Sequence, residues 1–182
     1  MKRYTIGLIT LILTSSFAYG QDWPELGRYS ENNKKYAQSS DNEDRVVFMG
    51  NSITEGWSTI LPEFFKGKSY INRGISGQTT PQMLIRFRPD VIDLNPKVVI
   101  ILAGINDIAE NTGPSTVKMI SDNIISMADL AKINGINVII SSILPAKGFP
   151  WNPGINPPPK ISAVNKIIEQ NAKENGMIYL DY

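Results

Sequence analysis

From residue 45 onward, short apolar runs alternate with longer amphipathic ones. Residues 45–50 (RVVFMG) and 97–103 (KVVIILA) are almost uniformly apolar, as strands covered on both faces must be, and the second is rich in β-branched side chains. Residues 69–73 (SYINR), 136–142 (INVIISS) and 177–181 (MIYLD) supply three more strands. Between them the spacing predicts helices over 54–65, 80–94, 115–134 and 160–175. Pro62 is expected to kink or divide the first of these, and Pro89 to break or bend the second. In the third, Met119, Ile120, Ile124, Met127, Ala128 and Ala131 recur along one face, so both methionines are expected to fill the core. Gly135 and Gly176 close the last two helices.

Strands alternating with helices make parallel βαβ units. The expected fold is α/β: a flavodoxin-like doubly wound sheet of five parallel strands, order 2-1-3-4-5, with helices on both faces. Ligands in such sheets bind beyond the carboxyl ends of the strands, near the switch point between strands one and three. Residues 21–44 are polar, with few apolar anchors, and are expected to form an extension with a single helical turn on the domain surface. The domain itself runs over 45–182, and because it stops on a core strand without a covering helix, it is expected to be incomplete at its C-terminus.

Residues 1–20 have the three parts of a secretory signal: Lys2 and Arg3, an apolar stretch over 6–17, and small residues in Ala18-Tyr19-Gly20, with Gln21 as the new N-terminus. The apolar stretch falls short of the roughly 20 residues that span a bilayer. A retained N-terminal anchor is the alternative. The chain has no cysteine, which excludes both disulfides and lipid attachment through a cysteine. A secreted or periplasmic protein is expected, with no stable membrane association after signal cleavage. A length of 182 residues suits one domain. The formal net charge of +1 falls to −1 when Lys2 and Arg3 are removed, and no basic run follows. That near-neutrality speaks against nucleic acid as a partner. Histidine is absent from the whole chain.

Three motifs fall at the ends of the three strands that surround the switch point. Strand one runs into Gly50-Asn51-Ser52-Ile53-Thr54-Glu55-Gly56. A serine at a sharp strand-to-helix turn would project its hydroxyl from the top of the sheet, with helix-terminal amides beside it. Ser52 and Glu55 are also spaced as a capping box, which would only start a helix. A phosphate-binding loop is not matched, since Gly56 is followed by Trp57 and no lysine is placed for phosphates. Strand two runs into Asn72-Arg73-Gly74-Ile75-Ser76-Gly77, where two glycines let backbone approach a ligand closely. Strand three runs into Gly104-Ile105-Asn106-Asp107, whose asparagine amide could donate to developing negative charge or merely form a turn. Each motif alone is weak, but their common order and strand context are not.

Taken together, GNSIT, NRGISG and GIND resemble the SGNH hydrolases, also called GDSL esterases and lipases, over roughly residues 45–181. Asn51 stands where the family name has aspartate. The resemblance implies Ser52 as nucleophile, with an oxyanion hole formed by the backbone N–H groups of Ser52 and Gly77 and the side chain of Asn106. It also implies a D-x-x-H block carrying the acid and the base, and this sequence has no such block. Asp181 ends strand five but does not match that block, and it reads as structural. Lys147 is the candidate for a lysine-assisted variant. No cofactor and no metal is called for. Asn51 and Trp151 are candidate substrate contacts, the latter in a Pro/Gly-rich loop over 145–159 with Phe149, either as an aromatic platform or as part of a stiffened surface loop. The expected substrate is a small-molecule or carbohydrate ester with a short acyl group, most simply acetyl. As given, the chain is expected to be nearly inactive. A secreted binding module of the same fold without a base is the alternative, and a flavodoxin-like nucleotide binder the third reading.

Overall fold

Five strands, β1 (Val46–Gly50), β2 (Tyr70–Gly74), β3 (Val98–Leu102), β4 (Asn137–Ser141) and β5 (Ile178–Leu180), pair in parallel in the order β2-β1-β3-β4-β5. The structure is a computed structural model that describes residues 21–37 and 44–182. The expected signal segment and residues 38–43 of the extension lie outside the described residues. Seven helices accompany the sheet among those described: α1 (Ser30–Ala37), α2 (Ser52–Ile60), α3 (Pro62–Phe65), α4 (Thr80–Asp90), α5 (Ile105–Ile108), α6 (Val117–Ile133) and α7 (Pro157–Glu174). The strand order and the expected fold class are as the sequence predicted.

The crossover from β1 to β2 runs in the opposite direction across the sheet to the three that follow. Right-handed connections therefore put α2 and α3 on one face and α4, α6 and α7 on the other. Side chains of β1 alternate accordingly. Val47 and Met49 enter the main core with Met83, Phe87, Ile120, Ile124, Val164 and Ile168. Phe48 points the other way, with ring centroids 5.4–5.8 Å from Trp57, Phe64, Phe65 and Tyr70 in edge-on arrangements. Register aligns the carboxyl ends of three strands, with Gly50 level with both Gly74 and Leu102. The three loops that leave them therefore start from one edge.

Proline placement accounts for most departures from the spacing. Pro62 divides the first predicted helix by starting α3 at its first position. Pro89 sits in the last turn of α4, and the chain then tightens into a 3-10 turn over Ile92–Leu94. Pro157 opens α7 three residues before the predicted start, because the first turn needs no N–H donors. Met119 is 52% exposed whereas Met127 is fully buried. Ile120 takes the inward position on α6, and its neighbour, about 100° round the helix, is turned to solvent. The extension holds two helical turns in α1 where one was expected.

Candidate active site

Asn51 is the N-cap of α2, with its Oδ1 accepting from the Ile53 N–H at 3.0 Å. The capping box for which Ser52 and Glu55 are spaced is therefore not formed. Ser52 is the first residue of the helix, exposed, with an N–H that has no intrahelical carbonyl to meet. Glu55 is engaged elsewhere: it pairs with Arg28 at 2.8 Å and accepts from the Ser76 N–H at 2.8 Å. Asn51, expected as a substrate contact, is 1% exposed, and its Nδ2 has no partner among the described residues. It borders a small pocket lined by Ile53, Leu102, Ala103, Ile105, Ile143 and Leu144.

The second loop is held against the first by backbone-on-backbone contact. A Cβ on Gly74 would lie 2.1 Å from the Glu55 nitrogen and 2.7 Å from the Asn51 carbonyl, so only glycine lets β2 approach the start of α2 this closely. The Ile75 N–H donates to the Gly50 carbonyl at 3.1 Å. Gly77 follows with φ +77°, a left-handed turn conformation, and is exposed. Its N–H meets no backbone carbonyl among the described residues.

Asn106 comes from α5, a four-residue helix that the sequence pattern did not reveal. It is 7% exposed, and its Nδ2 donates to the Gln78 carbonyl at 2.9 Å. A primary amide has two such hydrogens, so one remains for another acceptor. Ser52 at the start of α2, Gly77 in the loop after β2 and Asn106 in α5 thus lie in segments that leave the same edge of the sheet, the second in contact with the first and the third.

Beneath these loops lies a buried polar network that sequence reasoning missed. Arg86 is 0% exposed and donates to the Gly50 carbonyl (3.0 Å), to Gln78 Oε1 (2.5 Å) and to Asp90 Oδ2 (2.9 Å). Burial draws its guanidinium below the usual value, while Asp90 pulls it back up. Asp90 also accepts from Asn33 Nδ2 at 2.6 Å, and Asn33 Oδ1 accepts from Arg73. Gln78 Nε2 reaches the Pro24 carbonyl at 2.8 Å, and the Tyr29 hydroxyl donates to the Gly74 carbonyl. The extension is thereby stitched to the loop that carries Gly77. The available signal was Arg86 and Asp90 four apart in a helix whose neighbouring Met83 and Phe87 are apolar.

Asp107 was also missed. It is 1% exposed and accepts from the Thr80 N–H (2.9 and 3.1 Å) and the Thr80 hydroxyl (2.6 Å), fixing the start of α4 to the α5 turn. Burial pushes its carboxyl above the ordinary range, against the pull of the Thr80 hydrogen bonds.

Trp151 is 65% exposed and lies beside this edge. Its Nε1 donates to Asn111 Oδ1 at 3.3 Å, and Asn111 Nδ2 donates to the Gly77 carbonyl at 3.2 Å. Lys147 and Asp181 are elsewhere. They line a cleft of about 680 Å³ between the ends of β4 and β5 and the start of α7, together with Asn165, Lys166 and Tyr182. That cleft includes none of Ser52, Gly77 or Asn106, so its size does not make it the reactive centre. No group of three or more histidine, cysteine or carboxylate residues is placed to hold a metal among the described residues, nor is any helix there long and apolar enough to cross a membrane.

The model of the GDSL-like lipase/acylhydrolase family matches residues 48–182. The fold is similar to the crystal structure of a GDSL-like lipase from Bacteroides thetaiotaomicron, with 51% identity and a TM-score of 0.84, covering 87% of this chain and 78% of that one. The sequence is 31% identical over 120 residues to an uncharacterized lipoprotein of Bacillus subtilis, covering 57% of this chain and 49% of that protein. It is 30% identical over 118 residues to an arylesterase of Vibrio mimicus, covering 58% of this chain and 57% of that protein. The chain thus spans about half the length of the curated relatives it matches.

Proposed function

This chain belongs to the GDSL-like lipase/acylhydrolase family, and from that premise we propose that it is an exported serine ester hydrolase that cleaves short-chain acyl esters, O-acetyl esters of carbohydrates among them, through an acyl-enzyme on Ser52. The observation that carries the proposal is the exposed Ser52 at the start of α2, beside a loop whose Gly77 N–H meets no backbone carbonyl among the described residues and a carboxamide with a spare hydrogen.

In the proposed reaction a general base takes the Ser52 proton as Oγ attacks the ester carbonyl carbon. The carbonyl oxygen becomes an oxyanion held by the N–H groups of Ser52 and Gly77 and by Asn106 Nδ2. Collapse expels the alcohol with a proton returned from the base, leaving the acyl group on Ser52. Water then attacks by the same route and releases the carboxylic acid. Loss of one oxyanion donor in such a site costs on the order of 10²–10³ in rate. Loss of the base costs on the order of 10⁶. No histidine occurs in these 182 residues, so the proposed chain, by itself, turns over almost nothing. A binding module of this fold that works without a base is the second reading.

The test is turnover of 4-nitrophenyl acetate by the purified chain and by Ser52→Ala, each with and without added imidazole as a base. The hydrolase reading expects equal rates without imidazole and a faster wild type with it. Ser52-dependent turnover without imidazole would overturn the need for an external base. Equal rates under both conditions would favour the binding module.

A further inference from the structure

Three loops are stacked in order away from the switch point, and one side chain joins them. The 149–152 turn, closed by a bridge between Phe149 and Asn152, rests on the 109–113 loop through Asn152 Nδ2 on the Ala109 carbonyl at 3.2 Å. The 109–113 loop rests on the loop that carries Gly77 through Thr112 and Thr79, whose hydroxyls lie 3.1 Å apart. Asn111 spans the stack, holding the Gly77 carbonyl with its amide hydrogen and the Trp151 indole N–H with its amide oxygen.

We infer that Trp151 is a docking plate for a pyranose ring on the alcohol side of the scissile ester, and that Asn111 positions the plate relative to the oxyanion loop. The inference deepens, and rests on, the hydrolase reading above. The indole is held on two sides. Its N–H is spent on Asn111, and the buried ring of Phe149 packs 5.4 Å away at an interplanar angle of 39°. Pro150 and Pro153 flank it and restrict the turn. A large aromatic side chain held in one orientation while 65% exposed has an open face and little orientational entropy left to lose on binding. With the N–H engaged, that face is what remains, and its electron-rich surface complements the polarised C–H groups on one side of a sugar ring.

Position supports the alcohol side. The plate lies one asparagine side chain away from the carbonyl of Gly77, the residue whose N–H the ester oxygen is to meet. The surroundings argue for a sugar over an acyl tail. Asn111, Thr112 and Gly148 in the adjoining turns are exposed, and the ring of Phe149 packs against the indole, which leaves the plate with a polar, open surround.

The inference can be tested by binding, without turnover. Titrating the 15N-labelled chain with a peracetylated methyl xylopyranoside should shift the Trp151 indole signal saturably, the signal being assigned by its loss in Trp151→Phe. Ethyl acetate, which carries the ester without the ring, should leave that signal in place. Asn111→Ala should weaken the glycoside by about tenfold or more with resonances outside the three loops unchanged. Asn111→Asp keeps the oxygen that holds the indole and loses the hydrogen that holds Gly77, so it should bind the glycoside far better than Asn111→Ala while moving the Gly77 amide signal. A glycoside that leaves Trp151 unshifted, or Asn111→Ala binding as tightly as wild type, overturns the inference. So does acetylcholine shifting Trp151 more strongly than the glycoside, since the plate would then be a cation site. Binding and Ser52 chemistry are read separately on the same wild-type chain. Glycoside binding with no Ser52 chemistry under imidazole would therefore sink the hydrolase reading alone, and Ser52 chemistry without a Trp151 shift would sink the plate alone.

Discussion

The buried guanidinium of Arg86 donates to the carbonyl of Gly50 at 3.0 Å, two residues ahead of Ser52. Through Nε the same group holds Gln78, the residue after Gly77. One side chain thus fixes the tips of β1 and β2 relative to each other. A buried charge is tolerated only with full partnership, and Asp90 completes it. Arg86→Met is expected to cost roughly 3–5 kcal/mol of folding stability, because it leaves the Asp90 carboxylate buried without its cation. Asp90→Leu added to it should recover much of that loss. Urea denaturation of the single and double variants measures both. A single-variant cost below about 1 kcal/mol, the scale of a surface pair, would contradict the brace.

Two glycines near Ser52 should respond to alanine in opposite directions. At Gly74 the new methyl would strike the backbone of α2, so Gly74→Ala is expected to destabilise by about 1–3 kcal/mol and to displace the helix start. Gly56 lies inside α2, where the nearest atom to an added Cβ is Ile60 Cδ1 at 3.8 Å. Gly56→Ala should therefore stabilise by about 0.5–1 kcal/mol through helix propensity. Chemical denaturation of the two variants gives the signs directly, and equal signs would refute this picture of the α2 start.

Asp107 gives the pH dependence. Burial raises its folded carboxyl value above the unfolded one, near 4. The folded chain then holds the proton more tightly than the unfolded chain between those two values. The stability contributed by this group is complete below the unfolded value and is lost as pH rises through the folded one. Asp107→Asn removes the titration. The unfolding free energy of wild type relative to Asp107→Asn should fall as pH rises from about 4 toward neutrality. A difference that grows with pH would show that the Thr80 hydrogen bonds outweigh the burial.

The fold was legible because the central strands β1 and β3 and their neighbour β4 are largely buried and spell apolar runs, while α6 spells a helical period. What escaped the sequence had no local pattern to betray it. The α5 turn is four residues long and has no period to read. Arg86 finds its partners 4, 8 and 36 residues away, and Gln78 reaches 54 residues back to Pro24. The start of α2 was read two residues late, at 54 instead of 52, because Asn51 and Ser52 are both good caps, and Glu55 is drawn off by Arg28 and Ser76. The positions of Ser52, Gly77 and Asn106 at the strand tips were legible from the strand ends. The contacts that hold those tips together were not, since they run between loops distant in sequence.

The most direct test of the account is where a reactive acyl analogue attaches. The purified chain is incubated with a fluorophosphonate and imidazole, digested, and mapped by tandem mass spectrometry. The account predicts one adduct, on the peptide containing Ser52, which disappears in Ser52→Ala and weakens by on the order of 10²-fold in Asn106→Ala. An adduct on Ser76 or Ser58, or labelling of Ser52 that ignores the loss of Asn106, would contradict it.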